Sequence, residues 1–178
     1  PGLMRQHLTA VLAASEVSSA VVKGAEIGST SLEFAPGKIR SGNYEFRVGT
    51  AGSATLVLQT ILPALMLADG PSIVLVGGGT HNHWSPPFEF LSESYLPLVN
   101  RLGPSISVQL NRFGFYPAGG GEIEVNIAPS DSLSPFDIVQ RGDPINRTIT
   151  ALVIDLPAEI GSRELNKASR SLAWGKED

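Results

Sequence analysis

The side chains best suited to chemistry in this chain are Arg5-Gln6-His7, Gln59 and the pair His81-x-His83. Arg5-Gln6-His7 offers a cation and two hydrogen-bonding groups to a phosphate or a ribose, or else forms an ordinary exposed polar face. His81-x-His83 could bring two imidazoles toward a metal, but no acidic or cysteine partner stands at a matching spacing, so no metal ligand is assigned here. Three histidines among many serines single out no Ser/His/Asp set. Gly49-Thr50-Ala51-Gly52-Ser53 could cup an anion at a helix start; it lacks the Gly-Lys-Ser/Thr ending of a P-loop, which favours a plain helix entry. Phe115-Tyr116-Pro117-Ala118-Gly119-Gly120-Gly121-Glu122 has two readings, backbone N–H groups turned toward a phosphate or a wide hairpin connection.

The most informative stretch is Val76-Gly77-Gly78-Gly79-Thr80-His81-Asn82-His83-Trp84-Ser85-Pro86-Pro87-Phe88. It follows an apolar run, Ile73-Val74-Leu75-Val76, that reads as a buried strand, and it precedes a segment with helical apolar spacing. Ser85 followed by Pro86 has the form of an N-cap with proline at the first helical position. Pro86 and Pro87 each remove an N–H donor, so the corner should present flat apolar rings more than a phosphate cradle. A purine face suits such a surface; the alternative is a stiff corner that binds nothing.

Positioning these groups requires a set of elements that the pattern supplies. Leu3 to about Ala20 reads as a helix with an apolar stripe of Met4, Leu8, Val11 and Leu12, widened by Leu3, Ala10, Ala14 and Val17. Arg5 and Gln6 fall off that stripe, and His7 lies at its border. Ser31 to Phe34 suggests a short strand, and Tyr44, Phe46 and Val48 alternate as a half-buried strand does. Ala54 to about Ala68 is apolar nearly all round, which predicts a helix packed between layers with Gln59 in a dry place and Pro63 disturbing it. Pro87 to about Leu102 predicts a helix using Phe88, Leu91, Tyr95, Leu98 and Val99. Ile106, Val108 and Leu110 alternate, as do Ile123, Val125 and Ile127.

The order from Tyr44 to Ile127 is therefore strand, helix, strand, helix, strand, strand, and the preceding helix and strand could be the tail of an earlier copy of the same unit. The fold class is α/β (α+β). Residues 1–134 are expected to be part of a repeat-built large domain, with a complete unit at about 43–128, and 135–146 a linker. Residues 147–178 are expected to begin a small inserted domain, with a strand over Thr148–Ile154 and a helix over Glu159–Trp174. Helix-linked parallel strands would put the loops that follow them along one edge, where ligands commonly bind.

Composition narrows the classes further. A chain of 178 residues with 42% hydrophobic content has enough apolar material for a core. Seventeen acidic against thirteen basic residues, a formal charge of −4, argue against a broad basic surface for duplex nucleic acid, while recognition of a single RNA end survives that objection. The absence of cysteine excludes disulfides, a thiol nucleophile and zinc fingers. The most apolar stretch, Leu56 to Leu67, is too short for a bilayer and is interrupted by Gln59 and Pro63. No secretory signal is legible at the N-terminus. With Pro1 first, Met4 the first methionine and a second domain barely begun, both ends read as cuts through a longer protein.

Four words taken together carry a resemblance. Pro1-Gly2-Leu3-Met4-Arg5-Gln6-His7-Leu8-Thr9, Gly49-Thr50-Ala51-Gly52-Ser53 with Leu58-Gln59-Thr60, Gly78-Gly79-Thr80-x-Asn82-x-Trp84-Ser85-Pro86-Pro87, and Gly114-Phe115-Tyr116-Pro117-Ala118-Gly119-Gly120-Gly121 closely resemble the RNA 3′-terminal phosphate cyclases. The resemblance implies a large domain of β-α-β-α-β-β units with an inserted α/β domain. It also implies a ligase-type reaction. AMP passes from ATP to a histidine and then to an RNA 3′-phosphate, and the neighbouring 2′-hydroxyl expels AMP to leave a 2′,3′-cyclic phosphate.

By this resemblance Pro86 packs on adenine, Gln59 hydrogen-bonds near the nucleotide, Arg5 and Gln6 lie toward the phosphates or RNA end, and His7 is a further candidate there. ATP and a divalent metal, Mg or Mn, are the implied cofactors. The implied partner is an RNA 3′-phosphate end, with neither a membrane nor duplex DNA expected, and the implied location is the cytoplasm, or the nucleus in a eukaryote. The family's N-terminal Glu-Gly-Gly-Gly-Gln stretch and its nucleophilic histidine are expected before Pro1 and after Asp178, and His7, His81 and His83 match no nucleophile motif. The 178-residue polypeptide alone is then expected to be inactive. Two rivals remain, a cyclase-like ribosome-assembly factor without catalysis and, more remotely, an enolpyruvyl transferase.

Overall fold

The computed structural model describes residues 2–174. Its elements are α1 (Arg5–Ser18), β1 (Val21–Lys23), β2 (Glu33–Ala35), β3 (Asn43–Arg47), α2 (Ala54–Leu65), β4 (Ser72–Gly78), α3 (Phe88–Phe90), a π-helical turn (Leu91–Tyr95), α4 (Leu96–Asn100), β5 (Ser105–Arg112), β6 (Gly121–Ala128) and α5 (Glu159–Leu172). The class is α/β, and the chain divides into two compact units, Pro1–Phe136 and Asp137–Asp178.

In the first unit four strands form a sheet in the order β3-β4-β6-β5. β3 and β4 are parallel, joined by α2, and β6 runs antiparallel between β4 and β5. The register sets Val74 opposite Val125 and Val76 opposite Ile123. With Phe46, Ile106 and Ile127 these four side chains join one buried cluster with Val57, Leu58, Ile61, Leu62 and Leu65 of α2. α2 touches α1 on one side and the sheet on the other, which is why its sequence is apolar nearly all round. α1-β1-β2, with β1 antiparallel to β2, repeats the helix-strand-strand half of the unit that follows.

The structure departs from the sequence pattern at four places. On α1 the row facing α2 is Gln6, Ala10, Ala13 and Val17, while Met4 and Leu12 are exposed. Alanines let two helices approach closely, so the small residues rather than the large ones mark the contact, and Gln6 lies on the packed side. After Pro87 the helix is interrupted by a π turn in which Leu96 N–H donates to Leu91 O. Pro97 has no N–H to give the preceding turn, and the added residue turns Leu98 outward and Leu96 inward. Ser85 is not an N-cap. The helix begins at Phe88 after Pro87 in extended conformation, because a residue before proline, as Pro86 is before Pro87, is held out of the helical region.

The fourth departure is in the second unit, where α5 forms but Thr148–Ile154 is not a strand. A strand needs a neighbour for its N–H and C=O groups, and that unit contains no second extended segment paired with it among the described residues. The segment instead lies on α5: a Cβ added to Gly161 would sit 2.8 Å from Val153 Cγ2.

Leu58 is fully buried between α1 and the sheet. Leu58→Ala is expected to cost about 2–5 kcal/mol in urea unfolding, whereas Leu12→Ala, on the exposed side of α1, is expected to cost far less.

Candidate functional site

The loops after β3 and β4 zip together at the start of α2. Val48 N–H donates to Gly77 O, Gly79 N–H to Gly52 O and Ala54 N–H to Gly79 O, at 2.8, 2.8 and 2.9 Å. Gly52 fits because its missing side chain leaves room for Gln6: a Cβ there would stand 3.0 Å from Gln6 Cβ. Gln6 Oε1 then accepts from Ser53 N–H at 2.6 Å. Ser53 caps α2 by accepting from Leu56 N–H at 3.1 Å. Its hydroxyl lies 2.7 Å from Thr55 Oγ1, and Thr55 donates to Pro86 O at 2.8 Å. Since the Thr55 proton goes to Pro86, the Ser53 proton goes to Thr55. One buried line of hydrogen bonds thus runs from α1 through the α2 start to the proline corner.

At this helix entry the N–H groups of Gly52, Ser53, Ala54 and Leu56 are occupied by protein acceptors, which favours the plain helix entry over an anion cup at those donors.

A second set of contacts binds the corner to the loop between β5 and β6. Thr80 N–H and His81 N–H donate to Gly114 O, and Gly114 N–H donates to Thr80 Oγ1 at 2.9 Å. His81 Nδ1 lies 2.8 Å from Thr80 Oγ1 and Nε2 lies 2.9 Å from Glu89. Its ring sits against Phe113 and Phe115, with centroids 5.4 and 5.3 Å away. His81 is therefore a brace between the corner and the loop. At Gly119, with φ +71°, a Cβ would be 2.4 Å from Thr50 O, so this glycine lets the loop lie on the β3–α2 turn.

Three depressions surround the α2 start. Gln6, His7, Ala10, Leu56, Gln59 and Thr60 are among the residues lining a groove of about 310 Å3 between α1 and α2. Gln6 also borders a cleft of about 410 Å3 with Gly52, Asn82, His83, Trp84 and Tyr116. A third, of about 250 Å3, has a glycine floor with Arg47 and Arg112 at its rim. Hydrogen bonds to Glu45 and Glu122 hold the Arg47 guanidinium above its ordinary range.

The structure brings Gln6, His7 and Gln59 into one groove. Pro86, half-buried, reaches α2 through Thr55, one helical turn before Gln59, without lining that groove. Arg5 is exposed at the first position of α1 and borders none of these three depressions. Gln59 is half-buried at an open groove and not in the dry interior its helix suggested; the apolar faces of α2 are taken up by the sheet and α1, leaving a gap where Gln59 emerges. Sequence reasoning gave no individual role to Thr55, Trp84, Tyr116, Arg47 or Arg112, although Trp84 and Tyr116 stand inside the words that carried the resemblance. Only Trp84 and Tyr116 carried a signal, as aromatic residues inside glycine- and proline-rich loops.

Fold and site together define an α/β protein whose β-α-β-α-β-β unit gathers the loops that follow its parallel strands at one edge. The family model for RNA 3′-terminal phosphate cyclase matches residues 1–172, and the chain belongs to that family. It is similar to the RNA 3′-terminal phosphate cyclase of Koribacter versatilis (strain Ellin345), 53% identical over 176 residues covering 99% of this chain and 50% of that protein. It is also similar to that of Ectopseudomonas mendocina (strain ymp), 52% identical over 174 residues covering 98% and 51%. A third relative, from Salmonella enteritidis PT4 (strain P125109), is 48% identical over 165 residues covering 93% and 49%. The chain spans about half the length of these relatives. No helix among the described residues is long and apolar enough to cross a membrane.

Thr55→Val removes the donor to Pro86 O while keeping the shape. It is expected to lower stability by about 1–3 kcal/mol in denaturant unfolding, with Thr55→Ser restoring most of the loss.

Proposed function

We propose that this chain carries part of the nucleotide and RNA-end surface of an enzyme that converts an RNA 3′-phosphate to a 2′,3′-cyclic phosphate at the expense of ATP. The observation that carries the reading is the hydrogen-bonded line from Gln6 to Pro86, which fixes an amide groove and a stiff proline corner around one helix start in a chain of this family.

In this reading a histidine nitrogen attacks the α-phosphorus of ATP, and pyrophosphate leaves. An oxygen of the RNA 3′-phosphate then takes AMP from the histidine, and the adjacent 2′-hydroxyl attacks the terminal phosphorus, loses its proton and expels AMP. Adenylation turns a poor leaving oxygen into a good one, and the 2′-hydroxyl is held at attack distance by the ribose itself. Pro86 would pack on the adenine, Gln59 would hydrogen-bond near the nucleotide, and Gln6, Arg5 and His7 would face the phosphates or the RNA end. The proposed location is the cytoplasm. Among the described residues no three His, Cys, Asp or Glu side chains converge, so Mg or Mn is proposed only as a companion of the ATP phosphates and no step is derived through it.

Two measurements test this. In the full-length protein Gln59→Ala is expected to weaken ATP binding about 2- to 13-fold, the loss of one hydrogen bond, and Pro86→Gly to weaken it as well, with the fold retained by circular dichroism. ATP affinity untouched in both variants would remove the site assignment. Separately, the 178-residue polypeptide incubated with α-labelled ATP and metal is expected to acquire no covalent AMP, because none of its three histidines matches the nucleophile motif. A labelled histidine here would contradict that.

A further inference from the structure

The cleft bordered by Trp84 and Tyr116 has features that the reading above does not use. Trp84 is 90% exposed and Tyr116 84% exposed, the two most open aromatic side chains noted in the first unit, and they line the same cleft of about 410 Å3. Water-exposed indole and phenol faces of this size, gathered on one concavity, are suited to a flat guest. His83 meets Trp84 edge to face, with centroids 4.7 Å apart and planes at 83°, and the indole keeps its high exposure beside it.

Two polar atoms of the same cleft residues, Asn82 Oδ1 and Ser85 Oγ, are buried with no hydrogen-bond partner among the described residues. Buried polar atoms left unpaired are costly. Asn82 and Ser85 both line the cleft, where a base edge or ribose hydroxyl is the partner chemistry they lack.

Charge complements this surface on the far side of the same loop. Tyr116 borders the aromatic cleft while Ala118 and Gly120 border the glycine-floored depression, and Ala51 and Thr50 divide between the two in the same way. Arg112 donates its Nε to Gly120 O, and its terminal amino groups have no partner among the described residues. Arg47, the other cation there, is shared by Glu45 and Glu122, so Arg112 is the freer of the two.

We propose that Trp84 and Tyr116 form a stacking subsite for an unpaired nucleobase of single-stranded RNA near its 3′ end, with the adjoining phosphodiester turned toward Arg112. Single-stranded RNA is held by aromatic stacking, base-edge hydrogen bonds and backbone cations, and these three chemistries adjoin here. The assignment rests on the RNA-end reading of this protein and adds to it residues that contact the strand and neither ATP nor the reacting phosphate.

The test uses the full-length protein and a short single-stranded oligoribonucleotide ending in a 3′-phosphate. Trp84→Ala and Tyr116→Ala are each expected to weaken binding about 5- to 140-fold, the loss of one stacked base, while Trp84→Phe keeps most of the affinity. With every tryptophan of the full-length protein other than Trp84 replaced by Phe, the RNA should quench Trp84 fluorescence. Arg112→Gln should lower the salt dependence of RNA binding by about one unit of slope. Enzyme–AMP formation, which uses no RNA, should proceed in the Trp84 and Tyr116 variants.

Wild-type RNA affinity in both alanine variants, or an unquenched Trp84, would overturn the subsite. So would variants that lose ATP binding yet keep RNA affinity, since the cleft would then belong to the nucleotide. Failure of the unsubstituted protein to bind or cyclise the RNA is a different result and would bring down the parent reading as well.

Discussion

The hydrogen-bonded line Gln6–Ser53–Thr55–Pro86 is the constraint on which the site depends. Ser53 and Thr55 are buried, at 1% and 0% exposure, so each proton on the line has one productive acceptor and the geometry is not free to drift. Because the line starts on α1, crosses the first turn of α2 and ends on the loop after β4, three elements distant in sequence share one set of positions. A polar network in a dry place specifies a single arrangement only when every member is satisfied, and here the Ser53 cap and the Pro86 carbonyl complete it.

That arrangement has a consequence for the chemistry. At the start of α2, in many α/β proteins an anion site, the N–H groups of Ser53, Ala54 and Leu56 are taken by protein acceptors, and side chains line the depressions around it. An amide groove lies on the α1 side, an aromatic cleft on the corner side, and a cationic depression beyond the β5–β6 loop. The glycines of these loops bring backbone against backbone, as Gly119 does on Thr50, and the depressions stay open between them.

The alternation of Val74 and Val76, of Ile123, Val125 and Ile127, and the all-round apolarity of Ala54–Leu65 made the strand-helix-strand-helix-strand-strand order readable before any coordinates. These are local periodicities, and burial enforces them. Gln6 and Leu98 were misplaced for the opposite reason. Which face of α1 is packed depends on α2 accepting alanines at close range, and the phase of the segment after Pro87 depends on a single inserted residue ahead of Pro97. Thr148–Ile154 has the composition of a strand, but composition supplies no neighbour to bond with.

By itself, then, the sequence determined the class of fold, the order of its elements, the helix entry at Ser53 and the family words that frame the corner, since each rests on residues close together in the chain. Tertiary structure alone decided that Thr55 would hold Pro86, that His81 would serve as a brace, and that Trp84 and Tyr116 would border one cleft. Those outcomes come from residues about 30 or more positions apart, brought together by the parallel pairing of β3 with β4 and the insertion of β6 beside them, and no local pattern encodes such a meeting.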